Sequence, residues 1–539
     1  MNFDDAKVKS WIAQLDAANA QTLRGPLERR GTIVILGWAR LALQAAEGSG
    51  LNLSVSELCA ELVTRGWRVI YLRSGMEYSL RPSMRIEMKE IWRGVGCFSL
   101  INSPNLAPGN YNFRNVTDQV DHASQAAMVC AFVAAAGAGV VHAHSLEGFP
   151  LSLVGALRGS CRVFITPHNY YYLCPQVDLL AHEREICEDF EGGLRCEDCL
   201  SHAPQPAAYR AWRRRYQSAE RVMGPHALAV VKERFSYIKQ WASSRRGVIT
   251  NPATPAPPGR PVLLPARRED ANITLLAAAR RSVCGPGGYG QRRLAGIAAL
   301  GAATGVLCPS RFLMEVHSAH GVRREVMGHV PLGQPHFDAL AERARASPYY
   351  DSPAWSPTSD RPLRIAYFGN CYPNKGLATL CAAVELLSDA QAARIQLTIR
   401  ASGDDAPFRH WMRTHGRGRV TFLGAYDIDS LLTSPDTYDI CCFPNTGLEN
   451  SPFVVLEALH AGRPVIASRL GGPTDFITHG ENGLLFPSAH APALAAAFGT
   501  VLAGDWTLPS PRRIHELSML RTFKDYVDDL EGRYTTALV

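Results

Sequence analysis

The sequence predicts an α/β protein with two doubly wound domains, each built on a parallel sheet between layers of helices. One reason is a recurring unit of strand, loop and helix, which is typical of such sheets. The first unit has a strand at 32–36, a glycine loop at 48–50 and a helix at 54–65, and a second unit starts with the strand that ends at Gly369. The other reason is length, because 539 residues are enough for two or three domains with sizeable cores.

Short apolar runs predict the remaining strands. In the N-terminal half these runs are 68–72, 97–101, 139–142, 163–166 and 305–310. In the C-terminal half they are 396–400, 420–423, 438–443 and 465–468. The last two runs are each followed by a predicted helix, which indicates neighbouring strands of a parallel sheet.

Composition narrows the class of protein. Hydrophobic residues make up 46% and charged residues 19%, which is ordinary for a globular protein. The net charge of +7 comes partly from local Arg clusters and does not by itself indicate a nucleic-acid partner. The first residues have no basic start followed by an apolar core, so we expect no secretory signal, and no apolar run reaches membrane-spanning length. The 14 cysteines are mostly scattered singly, so we expect a cytoplasmic protein with reduced thiols.

The stretch 438–487 carries the strongest chemical signal. Ser451 is a good helix N-cap and Pro452 suits the first helical position, so a helix is predicted from there to about Gly462. Glu449 precedes this helix, and Glu457 lies inside it among apolar residues, where an unpaired charge is costly. Sugar hydroxyls can satisfy such carboxylates, and the helix N-terminus suits phosphate. The alternative is that both carboxylates bond to the protein's own backbone.

Two predicted strands of the N-terminal half end in histidines, at His142 with His144 and at His168. Ligands of doubly wound sheets bind beyond the carboxyl ends of the strands, so these side chains are candidates for a site. An imidazole there can orient a hydroxyl or a phosphate. The alternative is a structural histidine, which is the commoner case for a histidine at a strand end.

A cysteine cluster follows directly. Cys174, Cys187, Cys196 and Cys199 have the spacing C-x12-C-x8-C-x2-C. Four thiolates can hold tetrahedral zinc, and with four protein ligands such a zinc would be structural. The alternatives are unligated thiols or a redox pair at Cys196 and Cys199.

Residues 207–246 interleave aromatic side chains with Arg and Lys. A solvated amphipathic helix pair is the favoured interpretation, and a peripheral contact with a membrane surface is the alternative. Residues 251–268 are Pro-rich and predict a loop. Residues 336–361 carry few apolar anchors and predict an interdomain linker.

The stretch 438–487 resembles the donor-site signature of the family 4 retaining glycosyltransferases. That signature is E-x7-E, then E-A-x-x-x-G-x-P-V and a G-G turn. The matching residues here are Glu449, Glu457, Ala458, Gly462, Pro464, Val465, Gly471 and Gly472.

The resemblance implies a GT-B fold, in which two Rossmann-like domains face each other across a cleft. Residues 1–335 would form the acceptor-side domain, with the Cys-rich loop 174–199 and the basic insertion 207–270. Residues 336–361 would link it to a nucleotide-sugar domain at 362–505, and residues 506–539 would form a helix that crosses back.

The resemblance also implies roles for four residues. Glu449 would hold the hydroxyls of the donor sugar, Glu457 those of the ribose, and His168 a sugar hydroxyl or the acceptor. Lys375 would pair with the donor diphosphate, and its place before a predicted helix suits a phosphate in any case. Members of the family generally need no metal for catalysis, and the resemblance implies the same for this chain.

Other donor contacts are implied by position. Gly48 and Gly50 resemble the family's glycine loop, and the amides of Phe453 and Val454 remain available for phosphate or sugar. Asn370 stands where the family carries Arg, so one positive charge is missing.

The implied function is transfer of a sugar from a nucleotide diphosphate sugar to a hydroxyl acceptor, saccharide or lipid-linked, with retention at the anomeric carbon. Such a reaction serves polysaccharide or glycolipid assembly. Two alternatives stay open: a GT-B epimerase or phosphorylase, and a non-catalytic protein that binds nucleotide sugars, which the missing Arg favours.

Overall fold

A computed structural model of the chain describes residues 4–22, 30–42, 49–224, 261, 263–266, 271–353, 355–416, 419–433, 435–518 and 520–536. Gly48, the part of the basic segment beyond residue 224 and most of the Pro-rich stretch lie outside these residues.

The N-terminal half folds around an eight-stranded sheet with the order β10-β9-β6-β5-β1-β2-β4-β3. Its strands are β1 Gly31–Gly37, β2 Trp67–Arg73, β3 Arg85–Trp92, β4 Val95–Ile101, β5 Val140–Ala143, β6 Arg162–Ile165, β9 Gly305–Cys308 and β10 Met327–His329. All pairs are parallel except β3 with β4. A separate two-stranded ribbon joins β7 Leu180–Ala181 to β8 Glu185–Ile186.

The C-terminal half folds around a six-stranded sheet with the order β13-β12-β11-β14-β15-β16, parallel throughout. Its strands are β11 Leu363–Asn370, β12 Ile395–Ser402, β13 Val420–Phe422, β14 Ile440–Phe443, β15 Val465–Ser468 and β16 Gly483–Phe486. The strands β14 and β15 are neighbours, as the two strand-to-helix junctions predicted.

Helices cover both sheets. Those of the N-terminal half are α1 Asp5–Thr22, α2 Ser49–Thr64, α3 Val116–Val120, α4 Ala123–Ala135, α5 Leu153–Leu157, α6 Cys196–Cys199, α7 Pro206–Met223, α8 Ala271–Arg281, α9 Gly288–Ala302 and α10 Arg311–Ala319. The rest are α11 Pro335–Arg345, α12 Leu377–Glu385, α13 Asp389–Ala393, α14 Ala406–His415, α15 Ile428–Thr433, α16 Phe453–His460, α17 Pro473–Phe476, α18 Ala491–Ala503, α19 Pro511–Leu517 and α20 Phe523–Thr535.

The structure differs from the local predictions in two places and adds detail at a third. The hairpin β3–β4 was missed. Its two-residue turn is formed by Arg93 and Gly94, which have positive φ angles of 47° and 81°. Positive φ at both turn positions suits a tight antiparallel hairpin. Ser451 caps nothing: its hydroxyl is buried without a partner among the described residues, and α16 begins at Phe453 after Pro452. The segment predicted as an interdomain linker begins with a regular helix, α11, and its role as the linker stays a prediction.

Helix α11 is anchored by its apolar face. Phe337, Leu340, Ala341 and Ala344 are buried on it. Phe337 stacks on His460 and packs edge-on against Phe453, both on α16. The chain therefore passes between its two halves as an ordered helix.

The C-terminal helix α20 packs on the N-terminal sheet. Phe523, Tyr526, Leu530 and Tyr534 are buried among side chains of β1 and α2. The hydroxyl of Tyr534 lies 2.6 Å from Nδ1 of His142 in β5. The last described helix is thus joined to the centre of the first sheet.

A buried carboxylate fixes the start of β11. Asp439 is fully buried and accepts hydrogen bonds from Arg361 at 2.6 and 2.9 Å and from the Arg364 side chain at 2.9 Å. Burial raises the pKa of Asp439, but the two guanidinium groups outweigh it, so its pKa lies below the ordinary 3.8.

We expect Asp439→Asn to lower the free energy of unfolding by about 3 kcal/mol at neutral pH, because the buried carboxylate that pairs with both guanidinium groups is replaced by a neutral amide. The contribution of a carboxylate with a lowered pKa is present above its unfolded value and is lost as pH falls, so the difference should shrink in acid. Urea denaturation measures both effects.

The matched control is Asp436→Asn, since Asp436 is 61% exposed in its pairs with Arg343 and Arg463. Its effect should stay within about 1 kcal/mol. An equal loss in the two variants would contradict the assignment of Asp439 as an anchor.

Candidate functional site

A small cavity of about 100 Å³ lies where the carboxyl ends of the two sheets meet. The residues that line it come from both halves of the chain. They are His168, Asn169, Tyr170, Val177, Asp178, Leu180, Asn374, Lys375, Gly447, Leu448, Glu449 and Asn450. Three predicted site residues, His168, Lys375 and Glu449, therefore share one cavity.

Lys375 and Glu449 form an ion pair in this cavity. The two side chains are 27% and 19% exposed. Burial lowers the pKa of Lys375, but the Glu449 carboxylate outweighs that effect and the net shift is upward. The lysine is therefore a fixed cation at neutral pH.

Gly376 allows this pair to form. It follows Lys375 with φ of 73°, and a Cβ there would lie 1.7 Å from the carbonyl oxygen of Pro444. At Gly376 the backbone of the loop after β11 therefore lies directly against the backbone of the loop after β14. That contact places the lysine of one loop beside the glutamate of the other.

The Gly471-Gly472 turn supports the Glu449 loop from the other side. The amide of Gly472 donates to the carbonyl of Glu449 at 2.8 Å. A Cβ on Gly472 would lie 1.5 Å from the carbonyl oxygen of Asn450. Both glycines of the sequence motif thus shape the backbone that carries Glu449.

Asn450 ties the Glu449 loop to the N-terminal half. Its Oδ1 accepts from the Ser310 hydroxyl at 2.5 Å, and its Nδ2 donates to the carbonyl of Pro167 at 3.1 Å. Pro167 directly precedes His168. This double hydrogen bond sets the distance between the Glu449 loop and the His168 loop across the cavity.

His168 is partly exposed to the cavity, and its Nε2 lies 2.9 Å from Nδ1 of the buried His144. Burial lowers the pKa of His168 to about 3. The imidazole is therefore neutral at neutral pH, which suits hydrogen bonding to a substrate better than charge pairing.

Glu457 lies apart from the cavity. Its side chain is 8% exposed, and its Oε1 accepts a hydrogen bond from Nε2 of His336 at 3.1 Å. Its Oε2 is buried without a partner among the described residues. The structure thus brings Glu449 to the cavity and holds Glu457 beside α11.

The other predicted donor contacts also lie outside the cavity lining. Phe453 packs against Gly50 and Phe337, and Val454 follows it on α16. Asn370 ends β11, where its Oδ1 accepts from the amide of Tyr372 at 3.0 Å. Gly48 lies outside the described residues.

Asp178 is a cavity residue that sequence reasoning missed. Burial raises the pKa of its carboxyl to about 6; nearby Lys375 opposes this rise and Glu449 adds to it. No hydrogen bond to this carboxylate is found among the described residues. Its sequence signal is an acid inside the otherwise apolar run 177–180, close to the cysteine cluster.

Asn169 is a second missed residue. Its Nδ2 donates to Oε1 of Glu147 at 3.2 Å. Glu147 is fully buried and also accepts from the amide of Gly109 at 2.6 Å. Burial raises the pKa of Glu147, and these donors oppose the rise. A buried carboxylate thus orients an amide that lines the cavity.

Two further polar atoms of the lining lack partners. The Oδ1 of Asn374 and the hydroxyl of Tyr170 are buried and make no hydrogen bond to any described residue. Buried polar atoms in proteins are normally satisfied, so unpaired atoms at a cavity indicate a place for a polar ligand.

The predicted zinc ligands lie near one another. Burial raises the pKa of Cys196 to about 12, and the neighbouring thiols add to that rise. Within the part of the chain that the structure describes, no group of three or more His, Cys, Asp or Glu residues is arranged to hold a metal ion. The zinc site is not tested by this arrangement and stays a prediction.

Comparison with known proteins identifies relatives of the C-terminal half. A family model described as "Glycosyl transferases group 1" matches residues 362–504, which include Lys375, Glu449 and Glu457.

Two curated relatives show the extent of the similarity. The D-inositol 3-phosphate glycosyltransferase of Corynebacterium glutamicum (strain R) is 31% identical over 194 residues, which cover 32% of this chain and 46% of that protein. The phosphatidyl-myo-inositol mannosyltransferase of Mycolicibacterium smegmatis is 32% identical over 133 residues, 25% of this chain and 34% of that protein. This chain therefore matches less than half the length of either relative.

Among solved structures, the sucrose-phosphate synthase from Thermosynechococcus elongatus aligns with a TM-score of 0.53 at 18% identity. The alignment covers 94% of this chain and 98% of that one. The predicted GT-B fold is confirmed: two Rossmann-like sheets face each other across a cleft.

A pH dependence follows from Asp178. Because its folded pKa of about 6 lies above the ordinary 3.8, ionising it costs stability increasingly as pH rises through that interval. We expect Asp178→Asn to be more stable than the parent above about pH 6, with the difference vanishing below about pH 4.

Thermal unfolding across this pH range measures the difference. The control is Glu188→Gln, an exposed carboxylate of the same loop, which should show no such trend. A constant difference between Asp178→Asn and the parent at every pH would contradict the raised pKa.

The zinc prediction requires about one zinc per chain in purified protein. Elemental analysis measures this directly, and Cys196→Ser should lose the metal. Folded protein free of zinc would exclude the site and leave the four cysteines as reduced thiols.

Proposed function

We propose that this chain is a glycosyltransferase that moves a sugar from a nucleotide diphosphate sugar to a hydroxyl group. The observation that carries the proposal is the meeting of Lys375 and Glu449 in a cavity that also contains His168 from the other sheet. A cation, a carboxylate and a neutral imidazole are the groups that a phosphorylated sugar requires. The family match over residues 362–504 supports the same conclusion.

Lys375 would bind the donor diphosphate. It is the one lysine or arginine among the described residues that line the cavity, and Asn370 supplies no second charge. Stabilising the charge that develops on a leaving diphosphate is usually the largest contribution to such a reaction. The reaction therefore depends on Lys375 more than it would with an arginine at position 370.

Glu449 would hold hydroxyls of the donor sugar. In the structure its carboxylate pairs with Lys375. On donor binding this pair would separate: Lys375 would bind the diphosphate, and Glu449 would bind the sugar hydroxyls. The cavity of about 100 Å³ is smaller than the roughly 300–1,000 Å³ typical of ligand pockets. Binding therefore requires the cleft to open.

Glu457 would hold the ribose hydroxyls, as the family resemblance implies. The support is its buried Oε2, which has no partner among the described residues. A ribose hydroxyl could donate to that oxygen once the cleft opens, while His336 keeps the other oxygen in place.

Asp178 and Asn169 would face the acceptor. Both belong to the N-terminal half, opposite the Lys375 loop. A carboxylate with a pKa near 6 accepts a hydrogen bond from an acceptor hydroxyl at neutral pH.

We propose retention at the anomeric carbon and catalysis without a metal, in line with the family resemblance.

A lipid-linked acceptor at the cytoplasmic membrane surface is our preferred case over a free saccharide. One relative is named as a phosphatidyl-myo-inositol mannosyltransferase. Helix α7 exposes Trp212, Val222 and Met223 beside its arginines, which suits peripheral contact with an anionic surface. Among the described helices, none is long and apolar enough to cross a membrane.

The function is tested by screening nucleotide sugars for a thermal shift and then assaying sugar transfer to hydroxyl acceptors. We expect Lys375→Met to lower kcat about 100-fold, because the leaving diphosphate loses its cation. Lys524→Met is the matched control, since Lys524 is 76% exposed in its pair with Asp528, and it should leave kcat unchanged.

Other outcomes of the screen would overturn the assignment. Conversion of the sugar nucleotide without an acceptor would indicate an epimerase, and a requirement for orthophosphate would indicate a phosphorylase. Donor binding with neither transfer nor hydrolysis would indicate a binding protein.

A further inference from the structure

Three histidine rings run from the centre of the N-terminal sheet to the cavity. The rings of His142 and His144 have centroids 4.2 Å apart, and those of His144 and His168 are stacked at 5.3 Å. His142 and His144 are fully buried, whereas His168 is partly exposed to the cavity. The middle ring, His144, has no assigned role.

One hydrogen bond connects His144 to the site. The Nδ1 of His144 and the Nε2 of His168 are 2.9 Å apart, so one of these nitrogens must carry a proton and the other must accept it. The Nε2 of His144 is buried without a partner among the described residues. These two facts decide between the two arrangements of protons.

In the first arrangement His168 donates from Nε2, and the neutral His144 then carries its own proton on Nε2. That leaves an N–H buried with no acceptor. In the second arrangement His144 donates from Nδ1, and its Nε2 is an unpaired lone pair. A buried unpaired donor is rarer in proteins and costs more than an under-satisfied acceptor, so the second arrangement is favoured.

We propose that His144 is a positioning residue: it donates Nδ1–H to Nε2 of His168 and thereby fixes His168 as the Nδ1–H tautomer. The tautomer follows from the contacts alone, and its use in sugar transfer rests on the proposed function.

The surroundings of His168 agree with a neutral pair. Within the described residues Nδ1 of His168 makes no hydrogen bond, and it is not among the fully buried unpaired atoms, so it faces the cavity. The other ionisable groups of the cavity lining are Asp178, Tyr170 and the mutually paired Lys375 and Glu449. Burial lowers the pKa of His168 to about 3, which keeps the ring neutral.

The tautomer determines what His168 can do. A neutral Nδ1–H donates to an oxygen of the substrate, either a sugar hydroxyl or a phosphate, and that nitrogen cannot accept a proton. His168 would therefore orient the substrate and would not serve as a general base.

Ring nitrogen shifts of protein labelled with 15N-histidine report the tautomer directly. Signals of His168 are assigned by their loss in His168→Asn. We expect protonated Nδ1 and unprotonated Nε2 at neutral pH in the full chain without substrate. A protonated Nε2 would overturn the proposal.

Two variants of His144 separate positioning from packing. In His144→Asn the side-chain amide places a donor near the original Nδ1, so it should preserve the tautomer and keep kcat within about threefold of the parent. In His144→Phe the donor is absent, so both tautomers of His168 should appear and kcat should fall about tenfold. His317→Phe controls for the loss of a buried histidine elsewhere in the same half.

The results remain decisive if His144→Phe does not fold, because the parent spectrum and His144→Asn each test the tautomer. Equal kcat losses in His144→Asn and His144→Phe with an unchanged tautomer would show a structural role only. Absence of sugar transfer with a correct tautomer would contradict the proposed function and leave the assignment of His144 intact.

Discussion

The ion pair between Lys375 and Glu449 is the interaction on which the site depends. Each residue follows a different strand of the C-terminal sheet, and the two loops contact each other because Gly376 has no side chain. In the half-buried cavity each charge needs the other as long as no ligand is present. Each of the two residues therefore provides the contact that a charged, hydroxyl-bearing ligand would otherwise make.

The second constraint is the connection between the halves. Asn450, next to Glu449, bonds to both Ser310 and the carbonyl before His168. The helix α11 carries His336 to Glu457, and the helix α20 carries Tyr534 to His142. Polar contacts thus link the two halves of the chain and join helix α20 to the histidine rings.

Much of the fold was predictable because parallel strands buried on both faces are short apolar runs, and the helices between them begin and end with standard signals. The hairpin strand Arg85–Trp92 was missed because it lies at an edge and is largely polar. Helix α11 was missed because its apolar residues are mostly alanine. The predicted N-cap at Ser451 was wrong because the fold buries its hydroxyl away from the helix amides.

The site was predictable in part. Lys375, Glu449 and His168 follow strand ends, and strand ends converge in this architecture. Asp178 and Asn169 come from an irregular loop whose path no periodicity reveals, and the role of His144 depends on a contact between two strands. The pairing of Glu457 with His336 joins residues 121 positions apart, which spacing along the chain does not indicate.

The most direct test of this account is a crystal structure of the chain with a bound nucleoside diphosphate. The account predicts that the Lys375 ammonium leaves Glu449 and contacts the distal phosphate, with the Glu449 carboxylate turned to the space that the sugar would occupy. A structure in which the nucleotide binds while the Lys375–Glu449 pair stays intact would contradict it.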